Sequence, residues 1–183
     1  MKTLIWNGSP RPHGDTASMI ARLKAGLHGE CVQVDAYRCH ISPCIDCRYC
    51  IQSRGCAIQD DMQAVYEYIQ ACDNVLIASP LYFSELTGPL LGVTSRLQTY
   101  YCARHFRQEK PILKPKKGAV ILAGGGDGSM QRAYETGCVL LRSMNARDIH
   151  PLVYTHHTNE CPAIDDLQAL AGVDQIAAFF NGR

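Results

Sequence analysis

Short apolar, β-branched runs alternate along this chain with stretches in which apolar residues recur every three or four positions. The first pattern predicts strands and the second amphipathic helices. Leu4-Ile5-Trp6 opens the series as a strand. From Thr16 onward Met19, Ile20, Leu23 and Leu27 mark one helical face, and Cys31 to Val34 forms a second short strand. Asp60-Asp61 starts another helix, where carboxylates suit the positive end of the helix dipole, and Met62, Val65, Tyr66 and Ile69 form its buried stripe. Asn74 to Ser79 is apolar enough for the middle of a parallel sheet. Pro89 to Tyr101 follows as a helix, with Pro89 tolerated in the first turn. Ala119 to Ala123 is the fourth strand, Gln131 to Met144 the next helix, and Asp148 to Val153 contains the last strand, broken by Pro151. Asp165 to Phe180 closes the series as a helix. Five strand–helix repeats predict an open parallel α/β sheet covered by helices on both faces. No linker or repeat divides residues 1–183, so a single domain is expected, with a cysteine-rich loop inserted at 37–60.

A net charge of +1 with interspersed acids and bases shows no basic face for nucleic acid. Lys114-Pro115-Lys116-Lys117 is the only basic run and reads as a solvated turn before a strand. No apolar stretch reaches membrane-spanning length, and Met1-Lys2-Thr3 leads into a strand, not a signal segment. A cytoplasmic protein is expected, so its ten cysteines read as metal ligands or free thiols, not disulfides.

In such a sheet, ligands bind beyond the carboxyl ends of the strands, and three unusual loops fall there: 8–16, 80–87 and 124–129. Gly8-Ser9-Pro10-Arg11 follows the first strand and leads into a helix start. It offers small residues for close backbone approach, the Ser9 and Thr16 hydroxyls and the Arg11 cation, a setting that suits a phosphate monoester. A plain strand–helix turn with Thr16 as N-cap is the alternative. Asp15 is expected to turn outward. Ser79-Pro80-Leu81-Tyr82-Phe83-Ser84 sets aromatic side chains and backbone N–H groups where a flat ring can lie, although Leu81 and Phe83 also suit a core. Gly124 to Gly128 offers backbone donors or, alternatively, a flexible helix-initiating turn. No Walker lysine is present, and the G-x-G-x-x-G begun at Gly124 ends on Ser129, late in the chain. ATP or a Rossmann-bound dinucleotide is therefore not expected.

Cys44-x2-Cys47-x2-Cys50-x5-Cys56 places four thiols within thirteen residues. Soft thiolates held on one compact loop suit a [4Fe–4S] cluster, with structural zinc or reduced metal-free thiols as the alternatives. Cys31, Cys72 and Cys138 fall on strand or helix patterns and read as buried small hydrophobes. Cys39 and His40 lie near the loop and read as bland loop residues, with a supporting role beside the cluster as the alternative. His156-His157 with Cys161 reads as loop surface, because adjacent residues of an extended chain point to opposite sides.

Gly-Ser-Pro-Arg after strand one, the compact cysteine run, Asp60-Asp61-Met62 and Ser-Pro-Leu-Tyr-Phe occur here in the order that resembles the iron–sulfur flavoproteins of the flavodoxin-like NAD(P)H-dependent FMN reductase superfamily. The resemblance covers nearly the whole chain. It implies a flavodoxin-like five-stranded sheet of order 2-1-3-4-5, bound FMN and assembly as a dimer or dimer of dimers. By the same resemblance Ser9, Arg11, Thr16 and Ser18 hold the phosphate, with Ala17 also at the cofactor. Pro80, Leu81, Tyr82 and Phe83 flank the isoalloxazine, Gly124, Gly125 and Gly126 close over it, and Cys44, Cys47, Cys50 and Cys56 ligate the metal. The chain departs where the family often carries Asn-Thr, with Asp15-Thr16, and where it commonly carries a Lys and an Asp-Arg pair, with Leu90 to Arg96.

The expected activity is an FMN-dependent oxidoreductase or electron carrier passing electrons between flavin and cluster. NAD(P)H, ferredoxin and quinone are candidate partners, with neither nucleic acid nor membrane. A cluster-free NAD(P)H-dependent FMN or quinone reductase is the rival, and a zinc-stabilised binding domain without redox chemistry a third reading. Fold alone does not choose among them.

Overall fold

The computed structural model describes residues 1–182. β1 (Lys2–Asn7), β2 (Glu30–Asp35), β3 (Asn74–Pro80), β4 (Lys116–Ala123) and β5 (Ala146–Ile149) line up in the order β2-β1-β3-β4-β5, all parallel. The order reverses between β1 and β3, which places the switch-point crevice beyond Asn7 and Pro80. The last strand position is split. β5 pairs with the start of β4, and β6 (Val153–Thr155) pairs with its end. Pro151 lies between them with no N–H to give the ladder, so the expected 148–153 strand becomes two short ones displaced to either side.

Helices cover both faces. α1 (Asp15–Gly26) and α7 (Leu167–Phe180) pack on one, burying Met19, Leu23, Val173 and Ile176 against Ile5, Leu76 and Ile121. α3 (Met62–Ala71), α4 (Gly88–Thr94), α5 (Gln98–His105) and α6 (Gln131–Ser143) cover the other, over Leu4, Trp6, Val75, Ile77 and Val120. β3 is buried along nearly its whole length, as its apolar run requires. β2 is an edge strand, which leaves Cys31 half-buried, whereas Cys72 and Cys138 are buried as expected.

Two helix boundaries differ from expectation. α1 starts at Asp15 with Gly14 as its N-cap, so Thr16 sits inside the first turn and caps nothing. The helix expected over 89–101 is interrupted by a 3₁₀ turn at Ser95–Leu97 and continues to His105. Just before the break, the Thr94 hydroxyl donates to the Leu90 and Leu91 carbonyls and the Ser95 hydroxyl to Gly92, bonds that compete with the regular ladder. The inserted loop carries one short helix, α2 (Tyr49–Gln52), entered through left-handed Asp46 and Arg48.

Candidate functional site

The three loops singled out in the sequence meet beyond β1, β3 and β4. Ser9, Pro10, Arg11, Gly14, Asp15, Thr16, Pro80, Leu81, Tyr82, Gly125, Thr158 and Asn159 border one cavity of about 130 Å³. The loop that borders it depends on a glycine at its start. A Cβ on Gly8 would stand 2.8 Å from Ser79 Oγ and 2.9 Å from both Leu90 Cδ2 and Thr87 Oγ1, so no larger residue fits. The Thr87 hydroxyl donates to the Gly8 carbonyl (2.8 Å), and the Ser79 hydroxyl accepts from Thr87 N–H (3.2 Å). Asn7 Oδ1 accepts from Ser9 N–H (2.9 Å), while its amide donates to Asp35 (2.6 Å). These bonds hold the loop over the start of α1, whose first turn has no side-chain cap. Uncapped N–H groups beside a serine hydroxyl and an arginine suit an anion.

Ser9 and Thr16 are buried there, and Arg11 stands exposed at the rim. Ala17, Ser18, Phe83, Gly124 and Gly126 lie outside the lining, and the Ser18 hydroxyl donates to the Gly14 carbonyl. Asp15 does not turn to solvent. Its carboxylate accepts from Ala163 N–H (2.9 Å), tying the segment after β6 to α1. The N–H groups of Leu81 and Tyr82, expected to be open to a flat ring, donate to Ala123 and Glu85. Phe83 is 98% exposed and takes a left-handed backbone (φ 56°), a strained conformation for a bulky residue.

Segment 156–159 closes on the glycine loop. Thr158 N–H donates to Gly124 O, Asn159 Nδ2 to Gly125 O, and His156 Nδ1 lies 3.1 Å from Gly126 O. His157 Nε2 lies 3.0 Å from Asp127 Oδ1. The two histidines serve the same loop because His157 is left-handed, not extended as expected. Thr158 and Asn159 carried no signal in the sequence, since only the fold brings them across from β6.

A second cavity, about 380 Å³, is lined by Cys44, Cys47, Cys50 and Cys56 together with Ile45, Tyr49, Arg96, Tyr101, Cys102 and Phe106. All ten cysteines are free. Among the described residues no three His, Cys, Asp or Glu side chains converge closely enough to grip one metal ion. Burial pushes the Cys50 thiol up to about 12, helped by the neighbouring Cys102 thiol, so metal binding there must displace a proton. Cys102 is the fifth thiol of this cavity. In sequence it is one isolated cysteine of a helical stretch.

The loop is pinned at several points. Cys44 N–H donates to Ser95 Oγ (2.9 Å), the Thr99 hydroxyl to Gly55 O (2.9 Å) and Arg107 to Cys50 O. The Arg96 side chain, fully buried, reaches three acceptors: Ser42 O (2.9 Å), Ile58 O (3.0 Å) and Asp60 Oδ2 (2.6 Å). Its Nε–H has no partner. Burial opposes the Arg96 charge, but the Asp60 bond outweighs it and holds the guanidinium above its ordinary range, with Tyr66 and Cys56 contributing. Burial likewise acts against the Asp60 carboxylate, and the Arg96, Ser42 and Met62 donors pull it below the usual carboxylate range. The donors suit a thiolate-held metal group by their chemistry, since four thiols border one cavity and a buried donor beside them is unpaired, although their sulfurs are not gathered around one point in this structure.

With this geometry in place, comparison with known proteins assigns the family. The family described as NADPH-dependent FMN reductase matches residues 1–160. An iron–sulfur flavoprotein of Archaeoglobus fulgidus is 29% identical over 159 residues, covering 84% of this chain and 67% of that one. Another, from Methanocaldococcus jannaschii, is 30% identical over 140 residues, covering 74% and 68%. The fold is similar to that of an FMN-dependent NADH-azoreductase of Bacillus anthracis solved in complex with FMN, with TM-score 0.60, 16% identity and coverage of 99% and 100%. The chain belongs to the NADPH-dependent FMN reductase family and, within it, to the iron–sulfur flavoproteins, and is an FMN-dependent oxidoreductase.

Proposed function

We propose that this protein passes electrons between FMN and a [4Fe–4S] cluster within one domain, residues 1–183, in which segment 37–60 is an insertion that carries the cluster. The single observation behind this reading is that Cys44, Cys47, Cys50 and Cys56 all border one cavity, on a loop fastened at both ends by Arg96. When bound, FMN supplies two-electron chemistry and the cluster one-electron transfer. The chain's own part is to bind and orient. Ser9, Arg11 and Thr16, with the uncapped start of α1, hold the flavin phosphate; Pro80, Leu81, Tyr82 and Gly125 border its approach. The cavity of about 130 Å³ is small beside a whole flavin and is assigned to the phosphate end; Tyr82 and Phe83 would flank the ring system. Thiolate ligation requires a reducing setting, which fits a cytoplasmic protein.

The test is iron and acid-labile sulfide analysis with a visible spectrum of anaerobically prepared protein. Flavin bands plus broad absorption that bleaches on reduction are expected, with sulfide present. Changing any one of the four cysteines to Ser is expected to lower iron while leaving flavin bound, because the phosphate loop lies elsewhere. Full-occupancy zinc without sulfide would favour the binding-domain reading, and flavin alone the cluster-free reductase.

A further inference from the structure

Arg96 is an unusual residue to bury. Of the side chains that carry a buried polar atom without a partner among the described residues (Trp6 Nε1, Gln33 Oε1, Arg96 Nε and Tyr100 OH), it alone is charged, and it alone borders the cysteine cavity. Burying a cation is unfavourable unless its hydrogen-bonding capacity is met, and an unmet donor adds to that penalty. The other bonds of Arg96 are well formed. Nη1 donates to Ser42 O and Asp60 Oδ2, and Nη2 donates to Ile58 O. Ser42 precedes the first cysteine and Ile58 follows the last, so one guanidinium closes the neck of the whole ligand loop. Asp60 reinforces that neck by accepting Ser42 N–H and Met62 N–H. The 3₁₀ turn at Ser95–Leu97 carries Arg96 at its centre. A clamp alone accounts for the terminal nitrogens. It leaves Nε–H unexplained.

We propose that Arg96 positions and tunes the group held by the four cysteines: with Asp60 it clasps both ends of the loop, and its free Nε–H becomes the donor to the Cys56 sulfur once the group is bound. Cys56 borders the same cavity as Arg96, and its sulfur is among the groups that hold the guanidinium above its ordinary range. A hydrogen bond to ligand sulfur stabilises the more electron-rich state and raises a cluster's reduction potential. Lysine cannot replace this arrangement. Its single ammonium serves one point in space, whereas the planar guanidinium serves three acceptors and the sulfur together.

The inference rests on the reading that the cysteines hold an iron–sulfur cluster. The full-length protein and its Arg96→Lys variant are loaded anaerobically with ferrous iron and sulfide, and iron, sulfide and the midpoint potential are measured. Far-UV circular dichroism and FMN affinity report whether the variant is folded. The folded variant is expected to retain less iron and to show a more negative midpoint potential, with FMN affinity unchanged. Equal iron and equal potential in the two proteins would overturn the inference. In unsubstituted protein carrying ¹⁵N-arginine, pulsed electron paramagnetic resonance of the reduced cluster is expected to show coupling to a guanidinium nitrogen. Absence of that coupling overturns the inference even if the lysine variant does not fold. Unsubstituted protein that takes up neither iron nor sulfide fails the cluster reading itself.

Discussion

Arg11 borders the phosphate-sized cavity and stands exposed while its backbone N–H bonds Ser9 Oγ, and the Arg38 guanidinium donates to the neighbouring Pro10 carbonyl (2.6 Å). The Arg11 side chain is exposed and can turn toward an anion at the mouth of that cavity. Loss of a charge-assisted hydrogen bond weakens binding by about 1.5–3 kcal/mol. Arg11→Ala is expected to weaken FMN by roughly ten- to hundredfold, read by flavin fluorescence titration, with little change in unfolding temperature because the side chain is exposed. Unchanged affinity would remove Arg11 from the phosphate site. Gly8 acts at the same scale by the opposite means. It contributes no group to a ligand, yet its missing side chain lets Ser79, Thr87 and Leu90 close beneath the loop.

At the scale of elements, the segment between β6 and α7 does more than connect them. Asp166 caps α7, accepting Ala169 N–H through Oδ1 (2.9 Å) while Oδ2 accepts the Thr155 hydroxyl at the end of β6 (2.7 Å). The Ala169 bond, with the Thr155 bond behind it, holds this carboxyl below its usual range against the opposing effect of burial. A carboxylate depressed in the folded state contributes stability above its unfolded pKa and loses it as pH falls through the folded value. Asp166→Ala is expected to lose about 1 kcal/mol as a lost cap. The difference from the parent should shrink as the solution is acidified through the carboxylate range. Urea unfolding at neutral and acidic pH measures both; a gap that widens on acidification contradicts the assignment. The same connection carries Thr158 and Asn159 to the glycine loop, so loosening it also disturbs the cofactor cavity.

For the whole molecule, the cysteine loop leaves apolar surface uncovered. Ile45 is 71% exposed, and Tyr49, Tyr101 and Phe106 stand exposed around the same cavity, whereas Ile51 and Ile58 fold back and are half-buried. Adjacent exposed apolar side chains of this kind mark contact surfaces. Light scattering at micromolar concentration is expected to give at least twice the mass of one chain. Phe106→Asp should shift the assembly toward monomer. A parent protein that is strictly monomeric while holding both cofactors would show that the loop needs no covering subunit. Among the described residues no helix is long and apolar enough to cross a membrane.

Periodicity along the chain was enough to read most of the strands and helices, because strand and helix place buried side chains at different intervals and those intervals are local properties. Spacing likewise made the four-cysteine loop and the Gly8 to Thr16 turn legible, since each is a short contiguous motif. Sheet order came from family resemblance, and the parallel ladder agrees with it. What escaped the sequence depends on residues far apart along the chain. Arg96 lies 36 residues from Asp60 yet bonds it at 2.6 Å. Asn159 meets Gly125 across 34 residues, and Cys102 joins the cysteine cavity from α5. The 3₁₀ break also follows from local competition for backbone groups that apolar spacing does not register, whereas the break in the fifth strand was legible at Pro151 and only the two pairing positions of its halves on β4 were not. A one-dimensional pattern records which side chains are buried; only the folded chain decides which polar groups share that burial and must answer one another.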